Sequence, residues 1–309
     1  MRALLRLSLA VMALAVLAPA VLSQQAFPTH PIRLIVPYPA GGATDVVARI
    51  VAEKMSEELG QQIHVDNRPG AGTMIGDTGT YALNPTLYDK QLTYDPIKDF
   101  APVSRTGRVP LILVANPNTI KVNSVKELIE AAKKAPGKID YGAPGPGSPI
   151  HLAMELFKQR VDINATAIPY KGGADALTDL LGGRIALLFV DAATGVTHIK
   201  SGALKALGAG TDKRIPAAPD VPTIAEAGVP NFEAWAWNGL AVPAGTPPEI
   251  IAKLSAACQK ALGLPAVKQR LAELSVEPAP TSADEFGAYI KSETAKWRTV
   301  ITEAGISLK

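Results

Sequence analysis

The sequence predicts an α/β protein, and three features of the chain support this fold class. Short apolar, β-branched runs alternate with helical patterns along almost all of its 309 residues, an order typical of mostly parallel sheets. Glycine-rich turns link several of these runs to helices, as in "YPAGGATDVVARIVAEK". More than 280 residues remain after the N-terminal 26, which is enough for two domains with separate cores.

Seven segments carry the strand pattern, because each is a short apolar run between turn signals. They are residues 32–37, 63–67, 111–116, 165–169, 186–190, 204–209 and 240–243. Six segments carry the helical pattern: residues 44–59, 124–134, 149–159, 174–181, 248–262 and 283–304. The first predicted helix places Val47, Val51 and Met55 on one face and ends at Gly60, a natural left-handed cap.

The N-terminus predicts export. Arg2 and Arg6 precede an apolar run over residues 7–17 and then a small-residue zone, the pattern of a secretory signal peptide. The alternative, a membrane anchor, is disfavoured because Pro19 interrupts the run, which is shorter than the roughly 20 apolar residues that a spanning helix needs. No cysteine follows the run, which argues against a lipid anchor. We predict a signal peptide over residues 1–26.

Charge and cysteine content exclude two kinds of protein. Without Arg2 and Arg6 the 31 basic residues fall to 29 against 28 acidic ones, and a net charge of +1 argues against nucleic acid as a partner. The single cysteine, Cys258, cannot form an internal disulfide. It lies on the apolar face of a predicted helix, so we expect a buried small hydrophobic residue there.

The first candidate site is the turn between the first strand and the first helix. Gly41 and Gly42 leave the backbone open to a ligand, and the N-terminus of a helix favours an anion. Thr44 can cap the helix or donate to a ligand. Asp45 would repel a carboxylate, so we expect it to hold the loop or to meet an amino or hydroxyl group. Nucleotide-loop motifs are absent, and an ordinary tight turn is the alternative.

The second candidate site is "YGAPGPGSPIHLAMELF". Ser148 is a good N-cap, Pro149 fits the first helical position, and Gly145 and Gly147 open the approach. His151 stands where a capping box would place Glu. It either helps to receive an anion or is merely a polar residue over the first turn.

The third candidate site is "IPYKGGADALTDLLGG". A strand ends at Tyr170, and Lys171, Gly172 and Gly173 lead into a helix. Lys171 is interpreted either as a ligand contact or as a solvated side chain. Asp191 also follows a strand, and it either faces a cleft or caps the next turn.

Signatures of catalysis are missing from the sequence. The histidines at positions 30, 64, 151 and 198 have no metal-ligand spacing. No G-x-S-x-G turn is present, and Cys258 has no nearby base in the sequence. We therefore expect no metal, no cofactor and no enzymatic activity.

Seven ordered blocks resemble the Bug family, the periplasmic solute-binding receptors of tripartite tricarboxylate transporters. The blocks are "IRLIVPYPAGGATDVVAR", "VDNRPGAGTMIG", "LNPTLYDKQLTYDPIKDFAPVS", "YGAPGPGSPIHLAMELFK", "IPYKGGADALTDLLGG", "DVPTIAEAGVPNFEAW" and "GLAVPAGTPPEIIAKL". The resemblance spans about residues 31–306. It implies a type II periplasmic-binding-protein fold, in which two lobes joined by two crossovers close on a small carboxylate.

The resemblance also implies the lobes and the ligand contacts. Lobe 1 would comprise residues 27–107 and 236–309, and lobe 2 would comprise residues 108–235, with crossovers near residues 107–109 and 234–239. The contacts carried over to this chain are Gly41, Gly42, Ala43, Thr44, Asp45, Gly72, Thr78 and Thr80 in lobe 1, and Gly147, Ser148, His151, Tyr170, Gly172 and Asp191 in lobe 2.

One departure from the family concerns lobe 1. The segment "PGAGTMIG" passes directly to "DTGTYALNP", where the family has an additional helix and strand. That strand would lie beside the first strand, so its loss leaves backbone groups unpaired or makes the sheet close up. We expect residues 77–81 to fill part of the gap and the shortened lobe to be less stable.

The leading hypothesis is a monomeric periplasmic receptor that captures a small carboxylate, such as a di- or tricarboxylate, an acidic amino acid or an aromatic acid. Its partners would be the membrane subunits of a tripartite tricarboxylate transporter. One alternative is an exported α/β enzyme that acts on a small carboxylate. Another is a ligand sensor that docks a signalling partner.

Overall fold

The computed structural model describes residues 27–38, 40–41, 43–68, 75–88 and 91–308, so the predicted signal peptide lies outside the described residues. In chain order the elements are β1 (Ile32–Val36), α1 (Ala43–Leu59), β2 (Ile63–Asn67), β3 (Ile75–Asp77), a π-helical turn (Gly79–Leu83), α2 (Asn84–Leu87), β4 (Phe100–Ala115), α3 (Val125–Lys134), β5 (Asp140–Pro144), α4 (Pro149–Val161), β6 (Thr166–Tyr170), α5 (Gly173–Leu181), β7 (Leu187–Asp191), α6 (Ala192–Lys200), β8 (Lys205–Ala209), β9 (Trp235–Pro243), α7 (Pro248–Gly263), α8 (Pro265–Glu273), β10 (Glu277–Pro278) and α9 (Ala283–Glu303). Each predicted strand and helix overlaps an observed one.

Two long antiparallel strands, β4 and β9, join two lobes. The larger sheet has the order β3-β9-β4-β7-β5-β6, with β8 and β10 also paired to β4. The first part of β4 pairs with β9 as far as Pro110, opposite Trp235. From Leu111 onward β4 pairs with β7 and β8 instead. This arrangement of two lobes and two crossing strands confirms the predicted fold class, while the residue boundaries of the lobes stay a prediction.

The sheet of the first lobe is divided in two. Among the described strands, β1 pairs with β2 alone, in parallel, and β3 pairs antiparallel with β9. The expectation that residues 77–81 fill the gap is wrong, because β3 ends at Asp77 and the chain turns helical at Gly79. The Asp77 carboxylate accepts the backbone N–H of Thr80 at 3.0 Å. This bond satisfies an N–H at the start of the turn and ends the strand.

The core of the first lobe forms where β1 packs between helices. Leu34 and Val36 of β1 lie in one buried cluster with Val47 and Val51 of α1 and with Cys258 of α7. The prediction that Cys258 is a buried small hydrophobic residue is therefore confirmed.

No single helix among the described residues is long and apolar enough to cross a membrane. Helices α7 and α8 together have the length and the apolar composition of a span, but the pair is bent by 72°.

The C-terminal helix α9 packs both lobes together. It begins with a capping box between Ser282 and Glu285. Its buried Glu293 accepts the indole N–H groups of Trp237 at 3.1 Å and Trp297 at 2.9 Å. Its Phe286 belongs to the largest buried cluster, which also contains side chains of the second lobe.

Candidate functional site

The parallel strands of the second lobe end at one edge of the sheet. Because β5 pairs in parallel with both β6 and β7, their carboxyl ends lie together. Helices α4, α5 and α6 begin just beyond these ends, at Pro149, Gly173 and Ala192. Helix N-termini present free N–H groups and a positive dipole end to anions. Ligands of open α/β sheets bind at this edge, so it is the candidate site of the second lobe.

At the first junction, Asp45 holds the loop, which is the first of its two predicted roles. The buried carboxylate accepts the Gly41 N–H at 2.8 Å, the Asn67 amide at 2.9 Å and the Arg49 guanidinium at 3.0 Å. Burial opposes ionisation, but the hydrogen bonds from Arg49, Gly41 and Asn67 outweigh it and keep the pKa of Asp45 below its usual range. The role of Asn67 was not predicted from the sequence, although its place at the end of β2 could have indicated it.

Gly41 is the exposed part of this loop. Its φ of +86° favours glycine, and an added Cβ would meet no atom within 4 Å. Ala43 is the first residue of α1, whereas the predicted contacts Gly42 and Gly72 lie outside the described residues. The Thr44 hydroxyl accepts the amide of Asn238 at 3.0 Å, which ties the start of α1 to the crossing strand β9. Asn238 was also missed from the sequence.

The hydroxyls of the two predicted ligand contacts near the π-helical turn, Thr78 and Thr80, both form hydrogen bonds within the protein. Thr78 is fully buried, and its hydroxyl accepts the Trp237 N–H at 2.8 Å and donates to the Trp237 carbonyl at 3.3 Å. These bonds enclose the Thr78 side chain, and its contact with a ligand stays a prediction. The Thr80 hydroxyl donates to Asp77 at 3.2 Å and lies 3.4 Å from the hydroxyl of Tyr38.

At the second junction, Ser148 is the N-cap of α4, as the sequence predicts. Its hydroxyl oxygen accepts the His151 N–H at 3.2 Å, and its O–H donates to the Pro144 carbonyl at 2.5 Å. Gly145 and Gly147 have φ values of +56° and +75°. An added Cβ on Gly147 would lie 2.5 Å from Cδ1 of Leu87, the last residue of α2. This glycine therefore allows the loop before α4 to lie against α2.

His151 is bonded within the loop that precedes α4, and its role in receiving an anion stays a prediction. The ring is buried, and its Nδ1 accepts the Gly147 N–H at 3.1 Å. Burial lowers the pKa of His151, and Lys158 adds to this effect, whereas Glu155 opposes it. Because Nδ1 accepts this N–H, a neutral ring carries its proton on Nε2, which lies 3.8 Å from Glu155 Oε1. His151 positions the Gly147 loop.

A buried polar cluster supports His151 from below. Glu155 accepts the hydroxyl of Tyr141 and binds Lys158, whose Nζ lies 2.8 Å from Oε1 and 3.0 Å from Oε2. This cluster was not predicted from the sequence. Its signal was the spacing of His151, Glu155 and Lys158 on one face of α4.

At the third junction, Gly172 is free of neighbouring side chains, whereas the Tyr170 hydroxyl is engaged in a hydrogen bond. Gly172 is the N-cap of α5, and an added Cβ there would meet no atom within 4 Å. The Tyr170 hydroxyl donates to Asp179 at 3.0 Å, so it is held along α5. Burial and the Asp179 carboxylate raise the pKa of Tyr170 to about 12. Its hydroxyl thus stays protonated at neutral pH.

Asp191 differs from the other predicted contacts because its carboxylate has no hydrogen bond or ion pair with any described residue. It is the N-cap residue of α6, yet its side chain makes no capping bond. Burial alone raises its pKa. The residue lines a cavity of about 310 Å³ between α5 and β7. Facing a cavity, rather than capping a turn, is the alternative that this geometry favours.

Two α/β lobes joined by two crossing strands, with helix N-termini at the strand ends, define the class of two-lobed periplasmic binding proteins. Within this class, the chain belongs to the tripartite tricarboxylate transporter family receptors, whose family model matches residues 47–306. Protein BugT of Bordetella pertussis is 36% identical over 304 residues, which cover 93% of this chain and 93% of BugT. Proteins of this family are solute-binding receptors, not enzymes.

Two solved structures with the same fold are described with carboxylates. Rpa4515 from R. palustris, with adipate, is 36% identical, has a TM-score of 0.73 and covers 91% of this chain and 99% of its own. MatC from Rhodopseudomonas palustris, with bound malate, is 30% identical, has a TM-score of 0.70 and covers 89% of this chain and 100% of its own.

Proposed function

We propose that this protein is a periplasmic receptor that captures a small carboxylate between its lobes and presents it to the membrane subunits of a tripartite tricarboxylate transporter. The observation that carries the proposal is that relatives of the same family and fold bind adipate and malate. The edge where α4, α5 and α6 begin supports it, because helix N-termini favour anions.

The proposed mechanism is closure of the lobes about β4 and β9. In lobe 1, the ligand enters beside the open Gly41, whose own N–H is bonded to Asp45, and it meets the N–H of Ala43 and the hydroxyl of Thr44. In lobe 2, the contacts come from the loop at Gly147 and Ser148 and from the starts of α5 and α6. A ligand that contacts both lobes stabilises the closed state, because it binds that state more tightly than the open one.

A thermal-shift and calorimetry screen tests the function. The panel contains adipate, malate, citrate, glutamate and benzoate, and adipamide serves as the uncharged control. We expect at least one carboxylate to raise the melting temperature, since a ligand at a hundred times its Kd adds about 2.7 kcal/mol to stability. Adipamide should have no effect. If no carboxylate stabilises the protein, or if adipamide does so equally, the proposed function is wrong.

Gly41→Ala tests the site in lobe 1, with Gly60→Ala as its matched control. Both glycines flank α1, have positive φ (+86° and +68°) and have open space at the Cβ position. Each substitution should therefore cost a similar backbone strain, about 1–2 kcal/mol of stability. Only Gly41→Ala places a methyl group on the proposed ligand path, so we expect it to weaken binding of the best carboxylate at least tenfold by calorimetry. Equal affinities of the two variants would contradict this placement.

A further inference from the structure

The cavity beside Asp191 opens at the edge of the sheet where α4, α5 and α6 begin. Gly173 at the start of α5, Asp191 at the end of β7 and Thr194 in the first turn of α6 all border it. Its volume of about 310 Å³ is sufficient for one end of a small organic acid. The cavity therefore continues the proposed ligand site into the second lobe.

Apolar side chains line most of this cavity. They come from Ile150 of α4, Leu177 of α5 and Leu188 and Val190 of β7. The Thr194 hydroxyl donates to the backbone carbonyl of Asp191 at 3.1 Å. Among the described residues of the lining, the carboxylate of Asp191 is the one charged group. Such a lining suits an aliphatic or aromatic chain that ends in a single polar group.

The missing partner of Asp191 defines what that polar group must be. Within the described part of the chain, no side chain or backbone N–H donates to its carboxylate, and no cation offsets the burial that raises its pKa. A partly buried carboxylate gains from a hydrogen-bond donor, above all from a cationic one, and repels a second carboxylate in the same apolar space.

We propose that this cavity is a subsite for a ligand end that carries a hydrogen-bond donor, an ammonium or hydroxyl group, and that Asp191 is its acceptor. This inference rests on the proposed function, in which the loops at the strand ends hold the carboxylate end of the same ligand. The preferred ligand is accordingly an amino or hydroxy acid with an apolar chain, rather than a symmetric dicarboxylate.

Matched acids of two chain lengths test the subsite by calorimetry. The six-carbon set is adipate, 6-aminohexanoate, 6-hydroxyhexanoate and hexanoate, and the four-carbon set is succinate, 4-aminobutanoate, 4-hydroxybutanoate and butanoate. In at least one set we expect the amino or the hydroxy acid to bind at least tenfold more tightly than the dicarboxylate and the plain acid. The affinity of the amino acid relative to the hydroxy acid shows whether the subsite recognises a positive charge or a neutral hydrogen-bond donor.

Asp191→Asn supplies the second arm of the test, because asparagine keeps the shape and caps helices well. We expect this substitution to weaken binding of the preferred donor acid at least tenfold. The difference in affinity between the donor acid and the dicarboxylate of the same length should therefore become smaller. Asp175→Asn is the control. Asp175 lies in the first turn of α5, the helix that borders the cavity, but it is exposed and does not line the cavity. This control substitution should leave all affinities within twofold.

The outcomes distinguish a failure of the subsite from a failure of the proposed function. The subsite is wrong if the dicarboxylates bind as tightly as the donor acids, if carboxylates of the wider panel bind but no donor acid does, or if Asp191→Asn and Asp175→Asn act alike. In each of these cases the carboxylate receptor stands. If no carboxylate of any kind binds, the proposed function itself fails.

Discussion

We expect Gly239→Ala to lower the free energy of unfolding by about 3 kcal/mol, because the substitution overpacks a rigid aromatic cluster. Gly239 lies in β9, and an added Cβ would stand 2.0 Å from Cζ of Phe286. The ring of Phe286 is fully buried, with edge-to-face contacts to Tyr81 at 5.9 Å and Trp237 at 5.8 Å between ring centroids. It cannot move aside without disturbing both neighbours.

Equilibrium unfolding in urea measures this loss, and Gly263→Ala is its control. Gly263 is the last residue of α7, and an added Cβ there would meet no atom within 4 Å. Its replacement should change stability by less than about 0.5 kcal/mol. If the two variants have the same stability, the ring of Phe286 is not held as firmly as its contacts indicate.

The second large effect is expected for Gly147→Ala, which combines backbone strain with a clash against the side chain of Leu87. With φ at +75°, alanine costs about 1–2 kcal/mol. The new methyl group would also lie 2.5 Å from Cδ1 of Leu87, which is buried and unable to withdraw freely. Overpacking of this kind adds about 1–3 kcal/mol. We expect a total loss of about 2–5 kcal/mol in urea unfolding.

Gly145→Ala and Leu87→Ala separate the two contributions. Gly145 has a φ of +56°, but its nearest contact would be Ser148 Cβ at 3.7 Å, so its replacement should show the strain alone. In a double-mutant cycle, Leu87→Ala removes the clash. Gly147→Ala should then cost no more than Gly145→Ala does. A cost that stays the same in the presence and absence of the Leu87 side chain would contradict the close approach of Leu87 to Gly147.

Local sequence patterns determined the alternation of strands and helices, because caps and apolar stripes act within a few residues. Ser148 caps α4 through a bond to His151, three residues away, and Gly60 follows the last turn of α1. Such contacts form wherever the local chain adopts a helix, so they can be predicted without knowledge of the fold. The family resemblance likewise rests on residues that are visible in the chain alone.

The full length of β4 was decided by the tertiary structure. Only residues 111–116 carry the strand pattern, whereas the preceding part contains Pro102 and Gly107, which are poor strand formers. Pairing of this part with β9, from Phe100 to Pro110, overrides the weak local preference. The short β3 and the turn after Asp77 also depend on neighbours that are distant in the sequence.

The roles of the site residues were decided in the same way. The family resemblance implied Thr78, His151 and Asp191 as ligand contacts, yet each has a different environment. Thr78 bonds to the backbone of Trp237, which is 159 positions away, and His151 accepts the N–H of Gly147. Asp191 faces a cavity between α5 and β7 with no partner among the described residues. Residue type and spacing determined which side chains reach the strand ends, but only packing between distant segments decided which of them are free to meet a ligand.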